Sequence, residues 1–323
     1  MITNVCISPS FARKFIVVGL LALLAAPSTA AAQSSFSGIV IFGTSLSDSG
    51  NAFALNGAAA TPHDFMMMPL LIPSAPYAKG GHHFSNGATW VEQYAGTIGL
   101  AGSVRPALAS NGSATNFAVG AARAYNDGIN FNLTRQVDAF LAQSGGTAAP
   151  DALYVIEMGS NDIRDAFQLY ATGGNGGAIV TQALGSIAAN IQRLYLAGAR
   201  DFLVWTVPNI ALTPAIRSLP PVAQGAMSAL TQAFNAYLTG VLGDLSAGLP
   251  GVVFTRLDAY QLLNAIVADP AAYDLTSVTT ACLTPNEAPF SCHQPNEYLF
   301  WDGIHPTTAA HALLAQLAAS VLP

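Results

Sequence analysis

Charge is scarce in this 323-residue chain: 9% of its residues are Asp, Glu, Lys or Arg, against roughly 25% in an average soluble domain. Lysine occurs twice, as Lys14 and Lys79. With no basic run, neither nucleic acid nor an anionic membrane surface is the expected partner. Cysteine is limited to Cys6, Cys282 and Cys292. There is no C-x-x-C and no H-E-x-x-H, so a zinc site has no ligand set to build on. The chain also lacks a G-x-x-x-x-G-K-[ST] phosphate loop and a G-x-S-x-G nucleophile elbow, which sets it apart from nucleotide-binding P-loops and from α/β-hydrolases. No metal, nucleotide or flavin cofactor is expected. What is abundant is apolar material, 52% of residues, which excludes intrinsic disorder.

Arg13 and Lys14 precede the twelve-residue apolar run Phe15–Ala26, which Pro27 ends before Ala30-Ala31-Ala32. A basic flank, a short apolar run and small residues at an A-x-A site predict a signal peptide over residues 1–32, removed on export. Twelve residues at about 1.5 Å each fall short of a ~30 Å hydrocarbon core, so the run is not read as an anchor. Arg13 and Lys14 are the charged residues of that segment, so residues 33–323 carry 9 basic against 17 acidic residues, a formal charge of −8. The mature chain is expected to be one acidic domain, secreted or periplasmic, with no integral membrane segment. Cys6 leaves with the signal, and Cys282 and Cys292 then form an even pair in an oxidising compartment, which predicts a disulfide. Closing that loop is worth roughly 2.5–3 kcal/mol in the loop-entropy model.

Apolar β-rich runs recur at residues 38–42, 152–156, 201–207 and 251–255. Continuous apolar runs of this kind fit strands buried on both faces, as in parallel sheets. Helical patterns lie between them near 88–98, 134–143, 177–198, 222–247 and 258–268, and another follows His305. The alternation predicts an α/β fold with a parallel sheet, in one domain. Ser113–Val119 is a weaker strand candidate. Two segments fall outside the pattern: residues 56–81, with the apolar Met66–Pro73, and the Gly-rich 171–177, read as a flexible loop. The apolar loop fits satellite core, or the lining of a site for a greasy substrate.

Four short segments carry chemistry. Ile39–Phe42 runs into Gly43-Thr-Ser45-Leu-Ser-Asp-Ser-Gly-Asn51, which puts a serine at the carboxyl end of the first strand, where open α/β sheets hold their ligands. A serine needs a base. Asp302-Gly-Ile-His305 supplies one, with Asp302 able to accept the Nδ1 proton and leave Nε2 free. Asn161, in Gly159-Ser-Asn161-Asp162, offers an amide donor for an oxyanion, and Gly120, in Asn116-Phe-Ala-Val-Gly120, offers a backbone N–H. Taken singly, each also reads as an ordinary turn or cap residue.

Together and in this order, the segments resemble the blocks of the GDSL, or SGNH, family of serine esterases and lipases. Phe84-Ser-Asn-Gly87 with Trp90 adds to the likeness, and the blocks span residues 39–308. The resemblance implies a three-layer α/β/α sandwich with a mostly parallel, flavodoxin-like five-stranded sheet. It implies Ser45 as nucleophile, Asp302 and His305 as its partners, and Ser45, Gly120 and Asn161 as oxyanion donors. The activity implied is hydrolysis of carboxylic esters, including lipids, through an acyl-enzyme. A phospholipase or acyltransferase would use the same residues, and a binding module on an inactive scaffold is the reading from another class. One position departs from the pattern: Thr44 stands where the name-giving motif has aspartate, so a carboxylate that would order neighbouring loops is replaced by a hydroxyl.

Overall fold

The apolar runs become the strands of a parallel sheet in the computed structural model, which describes residues 35–61, 67–68, 70–285 and 288–323. The expected signal peptide over 1–32 lies outside the described residues, as does part of the Met-rich loop. In chain order the elements begin with β1 (Ile39–Phe42), α1 (Asn51–Asn56), β2 (Met67–Met68), β3 (Ile72–Pro73), α2 (Trp90–Thr97) and α3 (Leu133–Gln143). The middle of the chain gives β4 (Leu153–Ile156), α4 (Ser160–Ala171), α5 (Gly176–Ala197), β5 (Asp201–Trp205), α6 (Pro214–Arg217) and α7 (Pro221–Gly248). Then follow β6 (Val253–Leu257), α8 (Ala259–Ala268), β7 (Ser277–Ala281), β8 (Tyr298–Phe300) and α9 (Thr308–Val321).

The main sheet has the order β1-β4-β5-β6, with every neighbouring pair parallel. Because side chains alternate across a strand, each strand feeds two cores. Val40, Phe42, Tyr154, Ile156, Phe202 and Val204 point to one face and pack with residues of α3, α4, α5 and α7. Ile39, Ile41, Leu153, Val155, Leu203 and Trp205 point to the other, against α2, α9 and the start of α8. The result is the expected α/β/α sandwich.

The expected fifth strand is reduced. Residues 115–119 do run parallel along the free edge of β1, with Ile41 N–H donating to Thr115 O, Phe117 N–H to Ile41 O and Val119 N–H to Gly43 O. Their backbone is shared, however, with the segment on the other side. Thr115 N–H donates to Ser103 O, and Asn116 O accepts from Ala107 N–H. The pairing with β1 stops at a single bridge, Ile41–Asn116, because Thr115 N–H turns away to Ser103 and Gly43 N–H is taken by the Gln136 side chain, and the main sheet has four strands.

A second difference lies at 171–177. The loop of this Gly-rich stretch is only four residues, 172–175, because α4 runs through Ala171 and α5 begins at Gly176. Gly176 is needed there because a Cβ would run into the Ala166 carbonyl and the Tyr170 ring. The expected disulfide forms between Cys282 and Cys292. It closes a short hairpin hung on β8, since Cys282 N–H donates to Phe300 O and Leu283 N–H to Trp301 O.

Chain order across the sheet reverses beside β1: the chain first reaches the 115–119 edge and then returns to β4 on the other side. Crevices at such a reversal, beyond the carboxyl ends of the strands, are where open α/β sheets bind ligands. Ser45 and Asn161 both leave the sheet at that point.

Candidate active site

The turn after β1 is held from below by polar side chains. Gln136 of α3 accepts from Gly43 N–H through Oε1 and donates to Gly43 O through Nε2, both at 2.9 Å. Thr44 is buried and donates its N–H to Glu157 Oε2 at 2.8 Å, while its hydroxyl lies 3.0 Å and 3.1 Å from the two carboxylate oxygens. Asp48 accepts from the N–H groups of Gly50, Asn51 and Ala52, which fixes the start of α1. From Ile39 to Ala52, Ser45 is the residue that is not buried. Ser47 and Ser49 are committed elsewhere, to the Trp90 indole N–H at 2.9 Å and the Asn116 amide at 2.9 Å.

The other half arrives from the loop between β8 and α9. His305 Nε2 lies 2.8 Å from Ser45 Oγ, and His305 Nδ1 lies 2.7 Å from Asp302 Oδ2. Asp302 is fully buried. Its Oδ1 accepts from the N–H groups of Ile304 and His305, and its Oδ2 also accepts from the Tyr77 hydroxyl at 2.7 Å. Burial, with the Asp302 charge adding to it, pushes the Tyr77 phenol well above its ordinary range, so it stays a donor. The loop itself is pinned: Trp301 N–H donates to His305 O, Gly303 N–H to Leu71 O and Ala215 N–H to Gly303 O. Thr307 then caps α9 by accepting from Ala310 N–H. Phe84-Ser-Asn-Gly87 braces the same loop, with Ser85 donating to Pro306 O and Asn86 accepting from Thr308 N–H.

Asn161 opens α4 and donates one amide hydrogen to Ala122 O at 2.8 Å, which leaves its second free for a ligand. Gly120 behaves otherwise than expected. Its N–H donates to Asp48 Oδ2 at 2.8 Å, and a Cβ there would run into the Phe84 ring, which lies 5.3 Å from that of His305. The next residue, Ala121, is exposed and in the left-handed region at φ 64°. The backbone N–H groups of Ser45 and Ala121 have no hydrogen-bond partner among the described residues. Asp162, next to Asn161, holds the 120s loop by accepting from Ala124 and Tyr125 N–H.

Ser45, Asn161 and His305 open onto a cleft of about 820 Å³, including the part exposed to solvent. Its far wall is apolar: Leu262, Leu263 and Ile266 from one face of α8, Leu314 from α9, and Leu299 and Phe300 from β8. Arg164, one helical turn after Asn161, lines the same cleft and donates to Asn161 Oδ1 at 3.2 Å. Among the described residues, no group of three or more His, Cys, Asp or Glu side chains is arranged to hold a metal ion.

Sequence spacing does not reveal Tyr77, Glu157 or Arg164. Glu157 did leave a trace, a lone charge between a buried strand and a turn, where charged residues are rarely buried unless partnered.

The chain matches the family model described as GDSL-like Lipase/Acylhydrolase over residues 39–318. It is 27% identical over 316 residues to a GDSL esterase/lipase of Arabidopsis thaliana, covering 86% of this chain and 85% of that protein. It is 31% identical over 335 residues to Esterase EstA of Pseudomonas aeruginosa, covering 93% of this chain and 49% of that protein. Among solved structures, the acetylxylan esterase Axe2 from Geobacillus stearothermophilus overlaps 90% of this chain and 95% of its own, with 12% identity and a TM-score of 0.46. The extracellular lipase of Streptomyces rimosus overlaps 88% and 99%, with 15% identity and a TM-score of 0.40.

Proposed function

The chain belongs to the family of GDSL-like lipases and acylhydrolases, enzymes that cleave ester bonds, and from that premise we propose that it works through an acyl-enzyme formed on Ser45. The observation that carries the reading is the continuous relay of 2.8 Å and 2.7 Å from Ser45 Oγ through His305 to Asp302. Ser45 attacks the ester carbonyl while His305 Nε2 takes its proton, and Asp302 holds the imidazole in the tautomer that allows this. The same proton goes to the departing alcohol. Water then attacks the acyl-enzyme with His305 again as base, releasing the acid.

The oxyanion is held in this reading by Ser45 N–H and the free amide hydrogen of Asn161. Gly120, with its N–H taken by Asp48, acts as the spacer that lets Phe84 close on the turn, and the Ala121 N–H supplies the third donor in its place. Leu263, Ile266 and Leu314 form the acyl side of the cleft, which suits an apolar acyl group better than acetate.

A phospholipase reading is favoured by one observation, Arg164 in the lining of that cleft: a guanidinium beside Asn161 would pair with a lipid phosphate. The proposal also covers export. Residues 1–32 are cleaved, leaving 33–323 as a single secreted or periplasmic hydrolase domain. The Cys282–Cys292 bridge supports an oxidising compartment, and no described helix is long and apolar enough to cross a membrane.

Labelling tests the mechanism. A fluorophosphonate should modify Ser45 and leave Ser47 and Ser49 unmodified by peptide mass spectrometry, and Ser45→Ala should abolish both label and hydrolysis. Full activity in Ser45→Ala would end the reading. Parallel assays on p-nitrophenyl esters and on a phospholipid separate the two substrate readings.

A further inference from the structure

The serine mechanism has no step for Glu157, yet this buried carboxylate lies directly beneath the nucleophile turn. It extends from the end of β4, 113 residues from Thr44, and is 2% exposed. Its partners are neutral donors: Thr44 N–H, the Thr44 hydroxyl and the Ser47 hydroxyl. It also fills the space over Gly43, where a Cβ would come 2.9 Å from Glu157 Oε2. Gly43 and Thr44 are the two residues leading into Ser45, and one carboxylate constrains both.

Thr44 is also the position at which the chain departs from the G-D-S-L pattern that gives the family its name. Its hydroxyl oxygen lies between the two Glu157 oxygens, 3.0 Å from one and 3.1 Å from the other. An aspartate at 44 would bring its own carboxylate to the same place, and two carboxylates in a dry site cannot both ionise. The two positions therefore admit one carboxylate between them.

We propose that Glu157 is a positioning residue for Ser45, supplying from β4 the carboxylate that the family motif supplies from position 44, with Thr44 and Glu157 acting as one exchangeable pair. The inference rests on Ser45 being the nucleophile. Burial pushes the Glu157 pKa up to about 7 even with the Thr44 and Ser47 donors holding it down, so the group ionises as pH rises through neutrality.

A double-mutant cycle tests the pair, read as kcat on a p-nitrophenyl ester and as the rate of phosphonylation at Ser45. Thr44→Asp and Glu157→Gln should each lower both rates about tenfold or more, with KM changed less than about twofold. Thr44→Asp combined with Glu157→Gln restores a single carboxylate and gives the new amide an acceptor. It should recover to within about threefold of the parent. Losses that simply multiply in the double variant would overturn the proposal. Should the single variants fail to fold, a milder pair decides: Thr44→Val lowers the rate about threefold, and Thr44→Ser, which keeps the hydroxyl, recovers most of that loss. Parent-like rates in Thr44→Val would also overturn it. A parent labelled at Ser45 leaves the serine mechanism standing whatever the cycle gives, whereas a parent not labelled at Ser45 removes both readings.

Discussion

Ser45 lies on the seam between two unlike regions. Beneath it the turn is bedded in polar groups: Gln136, Thr44, Glu157 and Asp48 are all buried and all hydrogen-bonded. Across the cleft, the wall built by α8, α9 and β8 is apolar, and its α8 and β8 residues pack in a small cluster of their own, while Leu314 of α9 packs on a core of the sheet. A directional network fixes positions to a few tenths of an ångström but discriminates little between acyl chains. An apolar wall does the reverse, because burial is proportional to area and indifferent to direction. Damage to the bed should therefore appear in kcat for every substrate, and damage to the wall in the ranking of substrates.

The sharpest break in that comparison comes at the relay. Ser45→Ala and His305→Ala should each lower kcat by roughly 10⁴–10⁶, and the double variant should be hardly worse than either, because the base has no use without its nucleophile. Independent, multiplying losses would show that the two side chains do not act as a unit. Next in size is Asn161→Ala, with kcat lower by roughly 10²–10³ and KM little changed. A loss appearing mainly in KM would make Asn161 a ground-state contact.

How much of this could be read from sequence differs between the two regions for the same reason. The strands announced themselves as apolar runs, and Ser45, Asp302 and His305 as local motifs, because in each case the signal lies within a few neighbouring residues. The bed is non-local. Glu157 meets Thr44 across 113 residues and Tyr77 meets Asp302 across 225, and no spacing rule connects such pairs. Gly120 shows the converse: the motif marked the right turn, but the competing acceptor, Asp48, lies 72 residues away. α4 does not stand out in the sequence because it starts inside the Gly159-Ser-Asn161-Asp162 motif, whose polar residues mask the apolar spacing of Ile163, Ala166 and Phe167. The fifth strand stops at one bridge because Thr115 N–H finds Ser103 and Gly43 N–H finds Gln136, partners that no local pattern shows.

The wall gives the next effect. Leu263→Trp or Leu314→Trp narrows the cleft without touching the bed. Either should lower kcat/KM for long-chain esters about tenfold or more relative to acetate esters. An unchanged chain-length profile would place the acyl group elsewhere. Smaller again is the Cys282–Cys292 bridge, since the hairpin it closes hangs on Phe300 and Trp301, just before Asp302. Reduction should lower the melting temperature by several degrees, in line with roughly 2.5–3 kcal/mol of loop entropy, and activity should fall with it. Two free thiols in the unreduced, denatured protein would contradict the bridge.

The smallest effect distinguishes the two regions by pH. Burial pushes Asp48 and Asp162 up to about 6 and Glu157 up to about 7, whereas the apolar wall contributes no such group to the cleft lining. A carboxyl whose folded pKa exceeds its unfolded value binds protons more readily when folded. Its contribution to stability is complete below the unfolded pKa, near 4, and is lost as pH rises through the folded value. His311 acts in the opposite sense. Burial pushes it down to about 3, so it removes stability as pH falls below its ordinary range. Three carboxyl groups outweigh one imidazole, so the melting temperature should fall as pH is raised from about 5 through the folded value of Glu157, to about 8. Glu157→Gln should remove the upper part of that slope, nearest pH 7, because Glu157 has the highest of the three values. Leu263→Trp should shift the whole curve without changing its shape. A Glu157→Gln protein that keeps the full slope would mean that Glu157 does not titrate in this range, and the pH response would then come from Asp48 in the bed and Asp162 beneath the 120s loop.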